Sequence, residues 1–302
     1  MHMIASGRKC GMNDLLERRQ RFFGADSSYA EADIVIVGLP MDLTSSWRSG
    51  ARHGPSRIRD VSYSLEDYSP VLDLCLSSVR AVDIGDVVLP LGNVEGSLEA
   101  IMEVISEIVG DGKIPFALGG EHLVTLPCIT AVAQTLKDMA IVHLDAHADF
   151  RHRYAGQKLS HATVLRRASE IVGVDNLYQI GIRSGTAEEF RFANSDACPS
   201  RIAGCLPEAV AETLSIIGDL PCYVTLDIDV VDPAFAPGTG SPEPGGCSSL
   251  EILEAVRLLG QCNIVGFDLV EVAPPWDCSD ITSLLAAKIV REMLLRVSAY
   301  QK

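Results

Sequence analysis

Between residues 143 and 151 the chain reads HLDAHADFR, which sets Asp145, His147 and Asp149 at alternate positions. Side chains two apart on an extended strand share one face. Carboxylate oxygens beside an imidazole nitrogen make half of a divalent-metal site. Taken alone, the pattern reads more readily as a helix cap and a solvated loop charge, so the rest of the chain has to decide. It supplies more of the same chemistry. Glu121 and His122 follow the apolar run IPFALGG, Asp227 and Asp229 close CYVTLDID, and Glu271 follows IVGFDLV. Burying so many carboxylates together is costly unless cations neutralise them. Two divalent ions sharing carboxylates would match that charge better than one. Oxygen-rich donors with a minority of histidine suit manganese better than zinc.

These residues all stand at the ends of short apolar runs. The runs are 32–40, 79–86, 114–120, 139–145, 177–184, 222–229 and 263–272, each with the β-branched character of a buried strand. Between them, 95–112, 125–138, 161–173, 206–218 and 248–261 repeat apolar residues at three- and four-residue steps, and 279–300 closes the chain in the same way. Strands alternating with helices predict an α/β fold, a mainly parallel sheet between two helical layers. Open sheets of this kind bind ligands outside the carboxyl ends of their strands. The Pro- and Gly-rich stretch 233–246 lies between a strand and a helix, where a site loop is expected rather than a linker. One domain over 1–302 is the expected organisation.

Composition narrows the function. The 302 residues carry a formal charge of −15, with 47% hydrophobic residues. No basic run offers the concentrated positive surface that phosphate backbones require, so nucleic acid is not an expected partner. No stretch reaches the ~18 apolar residues of a membrane span, and the first twenty residues lack a secretory core. Nine cysteines without a CxxC pair point to reduced thiols and a cytoplasmic protein.

GGEH (119–122), DAHAD (145–149), SHAT (160–163), DIDVVDPAFAPGTGSPEPGG (227–246) and DLVEVAPPWD (268–277) together resemble the ureohydrolase, or arginase–agmatinase, family. GLPMD (38–42) and RSGARHGPSRIR (48–59) extend the likeness, which spans roughly residues 33–297 and is nearest to the agmatinase branch. The resemblance implies an arginase-like single-domain fold and two manganese ions. One would be held by His122, Asp145, Asp149 and Asp227, the other by Asp145, His147, Asp227 and Asp229. It further implies a hydroxide shared by the ions attacking a guanidinium carbon, with urea and an amine as products. His161 would carry the proton to the leaving amine, and Glu271 would orient the guanidinium. Trimers or hexamers are the implied assemblies. Glu121 replaces the family's commoner aspartate, and Ala162 its commoner glycine.

Substrate choice rests on fewer residues. Leu159 stands where arginases carry an asparagine that meets the α-carboxylate, and leucine cannot hydrogen-bond it. A small dication such as agmatine, converted to putrescine, is therefore the expected substrate, with Glu243 meeting its far amine. Arg151, just after DAHAD, argues for a guanidino acid such as guanidinobutyrate. A catalytically silent homologue that only binds is the alternative from another class. A one-metal deacetylase on a related fold is disfavoured by the complete set of donors for a second ion.

Overall fold

A computed structural model describes residues 11–136, 138–193 and 206–300. The strands are β1 (Leu16–Glu17), β2 (Ile34–Leu39), β3 (Tyr68–Ser69), β4 (Leu74–Cys75), β5 (Ala81–Val87), β6 (Ile114–Gly119), β7 (Ala140–Leu144), β8 (Leu177–Ile180), β9 (Cys222–Asp227) and β10 (Ile264–Val270). The helices are α1 (Gly54–Ser62), α2 (Val94–Gly110), α3 (Thr125–Thr135), α4 (Val164–Val172), α5 (Ala187–Ala193), α6 (Leu206–Ile217), α7 (Ser249–Leu259) and α8 (Ile281–Tyr300). Eight strands form one sheet in the order β1-β5-β2-β6-β10-β9-β7-β8, while β3 and β4 pair as a separate ribbon. Every pairing in the large sheet is parallel except β1 on β5.

Strand residues alternate between two apolar layers, as the pleat requires. Ile34 and Ile36 pack with Ile58 of α1 and Val290 of α8, whereas Val35, Val37 and Leu39 pack with Ile101 of α2 and Ile129 of α3. Helices α2, α3 and α4 thus cover one face, and α1, α8, α7 and α6 cover the other. Both faces being dry explains why the strands read as continuous apolar runs rather than alternating ones. Each fully buried aliphatic or Phe side chain contributes about 1.5–3 kcal/mol. In the sheet centre Phe267 of β10 stands in register with Phe116 of β6, their rings 5.1 Å apart.

Two helices show why they begin where they do. The Asn93 side chain accepts from Gly96 N at the start of α2, and Ser248 with Glu251 forms a reciprocal capping box on α7. Helix α1 is tied to the sheet by ions. The buried Arg59 guanidinium donates to both Asp83 oxygens at 2.7 and 2.9 Å, to Gly85 O at 3.0 Å, and pairs with Asp86. Burial opposes its charge, but the two aspartates outweigh that and hold its pKa above the ordinary arginine value.

All seven expected runs form strands, and the expected helices are present. The 125–138 helix ends earlier than its apolar pattern, with Leu136 already extended. Five strands and α-helices among the described residues were not foreseen: the antiparallel edge β1, β3 and β4 of the ribbon, α1 and the short α5. Six cysteines are free thiols, while Cys10, Cys198 and Cys205 lie outside the described residues. Among the described residues no helix is long and apolar enough to cross a membrane.

Candidate active site

Strands β6, β10, β9 and β7 are consecutive neighbours, so their carboxyl ends form one continuous rim. From that rim come Glu121 and His122, Glu271, Asp227 and Asp229, and Asp145, His147 and Asp149 respectively. Gly120 makes the β6 end possible. A Cβ there would lie 2.0 Å from Met41 O, so only glycine lets residue 41 close over the strand and accept from Glu121 N.

His122 is held from behind and open in front. Its Nε2 lies 3.0 Å from Thr225 Oγ1, which donates to Asp268 Oδ1 at 2.5 Å, while Tyr223 donates to Asp268 Oδ2 at 2.7 Å. With its one hydrogen committed to Asp268, Thr225 must accept from His122, so Nε2 carries the proton and Nδ1 presents a lone pair. That Nδ1 is buried without a hydrogen-bond partner. Around it stand Asp145 Oδ2 at 3.1 Å, Asp149 Oδ2 at 3.3 Å and Asp227 Oδ2 at 3.4 Å. One nitrogen with three carboxylate oxygens within 3.4 Å of it suits a divalent cation, and His122, His143 and Asp145 have ligand atoms close enough to share one. Burial opposes positive charge on His122, yet the three aspartates win and hold its pKa well above the imidazole range. The cluster attracts cations.

A second group adjoins the first through Asp145. Its Oδ2 faces His122, while its Oδ1 lies 3.6 Å from His147 Nδ1 and accepts from His147 N at 2.6 Å. His147 Nδ1 is 2.9 Å from Asp229 Oδ2. Asp145, His147 and Asp229 have ligand atoms close enough to share an ion. Asp145 thus divides its oxygens between two sets of donors. Burial, reinforced by Asp229 and Asp145, raises Asp227 well above the carboxylate range, and burial pushes Asp149 up to about 6.

Glu271 adopts φ 64° and Asp149 φ 49°, left-handed values uncommon for such residues. Each costs on the order of 1–3 kcal/mol, held by the surrounding structure. At Glu271 the backbone N donates to Gly120 O at 2.8 Å and Oε1 accepts from His122 N at 2.8 Å. Burial, with Glu121 nearby, pushes Glu271 up to about 8, and burial pushes Glu121 up to about 7. Glu121 Oε2 accepts from Thr44 N at 2.7 Å.

His161 begins a short 3-10 turn, His161–Thr163, capped by Ser160. Its backbone N donates to Thr44 Oγ1 at 3.0 Å, its Nδ1 lies 3.3 Å from the same oxygen, and the Tyr154 ring meets it edge-on at 5.4 Å. Burial pulls its imidazole down to about 4, so the ring is neutral near pH 7.

His147, Asp149, Asp227, Asp229, His161 and Glu271 share a cleft of about 220 Å³. That volume is below the ~300 Å³ at which drug-sized pockets begin, so a small metabolite fits better than a polymer. Arg151 and Glu189 stand on its wall 3.6 Å apart, with the Arg151 guanidinium also 5.0 Å from the Tyr154 ring. Arg48 also lines the cleft, stacked 4.2 Å over Trp47. Glu243, expected to face a far amine, is not among the lining residues. The Arg183 guanidinium binds its backbone carbonyl at 2.7 Å and pins that turn against Asp229 O instead.

Sequence reasoning passed over several residues. His143 Nε2 is 2.8 Å from Asp145 Oδ2, and Gln179 supports its other nitrogen at 3.0 Å. It sits on β7, two positions before Asp145 at the strand's end, a spacing that could have drawn notice. Thr225, Asp268 and Thr44 carried no such signal, because their partners are remote in sequence; Glu189 stood in a Thr186–Glu189 capping box that was passed over.

The sequence model of the Arginase family matches residues 32–295. An agmatinase of Bacillus anthracis is 48% identical over 276 residues, covering 91% of this chain and 95% of that one. A guanidinobutyrase of Pseudomonas aeruginosa is 37% identical over 275 residues, covering 87% and 85%. The crystal structure of agmatine ureohydrolase of Thermoplasma volcanium superimposes with a TM-score of 0.83 at 34% identity, covering 94% of this chain and 97% of that chain.

Proposed function

The chain belongs to the arginase family, and we propose that it hydrolyses the guanidinium group of agmatine to give putrescine and urea. The observation that carries this reading is the buried, unpartnered His122 Nδ1 ringed by three carboxylate oxygens, beside a second donor set joined to it by Asp145. His122, Asp145, Asp149 and Asp227 would hold one ion, and Asp145, His147, Asp227 and Asp229 the other. Manganese is proposed because oxygen donors dominate. When bound, such ions supply an activated water as the nucleophile.

The remaining work falls to side chains of the cleft. Glu271 Oε1 is committed to His122 N, which leaves Oε2 for a guanidinium N–H. A carboxylate fixed in this way orients the planar group so that its carbon faces the donors. Collapse of the tetrahedral adduct breaks one C–N bond, and the departing amine needs a proton. His161, neutral at rest, takes the proton released by the nucleophile and passes it to that amine. Leu159 offers no polar contact to an α-carboxylate, which disfavours arginine.

A second reading, guanidinobutyrate, is favoured by Arg48 and Arg151 on the cleft wall. Pairing with Glu189 reduces the charge that Arg151 shows a substrate, which is why agmatine is preferred here. Rates of urea release from agmatine, guanidinobutyrate and arginine by the manganese-loaded protein test the choice. A higher kcat/KM for guanidinobutyrate would replace the substrate and keep the ureohydrolase chemistry; no urea from any of them would leave a binding protein. A cytoplasmic homo-oligomer, trimer or hexamer, of one domain over 1–302 completes the proposal, and light scattering tests its assembly.

A further inference from the structure

Thr44 lies in the segment between β2 and α1, far in sequence from the metal donors. Three contacts fix it. Its backbone N donates to Glu121 Oε2 at 2.7 Å, and the Glu121 carboxylate is fully buried at the β6 end. Its hydroxyl accepts from His161 N at 3.0 Å and lies 3.3 Å from His161 Nδ1. Ser160 Oγ is also near that nitrogen, at 3.4 Å, but it caps the turn by accepting from Ala162 N. The ends of the segment are themselves closed, since Asp42 accepts from Gly50 N at 2.8 Å and pairs with Arg52 at 2.9 Å.

We propose that Thr44 is the positioning residue of His161, holding Nδ1 in both protonation states so that Nε2 alone exchanges protons with the substrate. A hydroxyl has one hydrogen and two lone pairs. One lone pair takes His161 N–H. The second lone pair accepts from Nδ1–H, which keeps its proton in the neutral ring and in the imidazolium while Nε2 gains and loses one. The contact therefore survives the whole proton-transfer cycle without rotation of the ring. Glu121 serves the same end by fixing the Thr44 backbone from the rim that carries His122. The metal donors and the proton carrier are in this way referenced to one carboxylate.

The proposal rests on His161 as the proton carrier, and the test separates the two ideas. Thr44→Val keeps the volume and the backbone N–H but removes the hydroxyl. With agmatine and manganese-loaded protein, kcat should fall about tenfold to a hundredfold, with KM and metal content within about threefold. Thr44→Ser should restore most of the loss. Should valine disturb the segment, Thr44→Ala against Thr44→Ser gives the same comparison. In a His161→Ala background Thr44→Val should cost less than about twofold, because the group it positions is gone. A full additional loss in that background overturns the proposal and leaves the proton carrier standing. Undiminished turnover in His161→Ala alone overturns both.

Discussion

Removing divalent metal should lower the melting temperature by an amount that the two donor sets define. Asp145, Asp149 and Asp227 each place an oxygen within 3.4 Å of one nitrogen, and Asp229 adds another carboxylate 2.9 Å from His147. The folded chain assembles this cluster and the unfolded chain does not, so an ion binds the native state selectively. At free metal a thousandfold above its dissociation constant, one site stabilises by about 4 kcal/mol. Unfolding entropy of about 2.1 cal/mol/K per residue gives roughly 0.6 kcal/mol/K for a 302-residue chain. One occupied site is therefore worth about 6–7 °C and two about 13 °C. Scanning calorimetry with chelator, then with added manganese, reads the difference. Asp149→Ala, which touches only the first set, should keep about half of it. The proton competes with the ion: Asp149, pushed up to about 6 by burial, binds a proton below that pH. The shift should accordingly shrink as pH falls through about 6. A melting temperature unmoved by chelation and by manganese would refute the metal centre.

Arg59→Met should destabilise by about 3–5 kcal/mol, read from urea midpoints, because Asp83 is left buried without a counter-charge and Asp86 keeps only Arg19 at 3.3 Å. Glu271→Gln should lower kcat/KM for agmatine at least tenfold while leaving metal content unchanged, since the amide oxygen is held by His122 N and its NH2 then meets the guanidinium donor to donor. Glu243→Gln should leave the agmatine KM within about twofold, given its place outside the cleft. Glu292 accepts from Arg257 at 3.0 Å and Ser69 at 3.0 Å and pairs with Arg291; burial raises its pKa, but these partners outweigh burial and the net shift is downward. A depressed folded pKa stabilises above the unfolded value of about 4.5 and is lost as pH drops further. The melting difference between wild type and Glu292→Gln should therefore be present at pH 7 and vanish under acid.

The seven parallel strands were legible because a strand dry on both faces writes itself as an unbroken apolar run. The convergence of His122, Asp145, His147, Asp149, Asp227, Asp229 and Glu271 followed from one rule, that parallel strands deliver their carboxyl ends to one rim. What stayed hidden was pairing between distant residues. Nothing in GPSRIRDVS states that Arg59 will enter the sheet and meet Asp83 and Asp86. The two-residue β1 is too short to show a period, and the one start signal of α5, the Thr186–Glu189 capping box, was passed over. The motif around Glu243 says that the turn is near the site; that Arg183, sixty residues earlier, holds the Glu243 carbonyl could not be read from it.

The order of strands also dictates when the rim can exist during synthesis. β10 is the last of the described strands in chain order, yet it lies between β6 and β9 in the middle of the sheet. Until residues 264–270 leave the ribosome, the earlier strands form two partial sheets, each with an open edge of unpaired amides and carbonyls. Those edges sit over apolar side chains such as Phe116 and Val224, which await Phe267. A nascent chain halted before β10 carries two adhesive borders and an unfinished cluster of carboxylates. The rim is complete only once β10 and the helix after it are made, so the strands before it wait, exposed to self-association, for the residues from 264 onward.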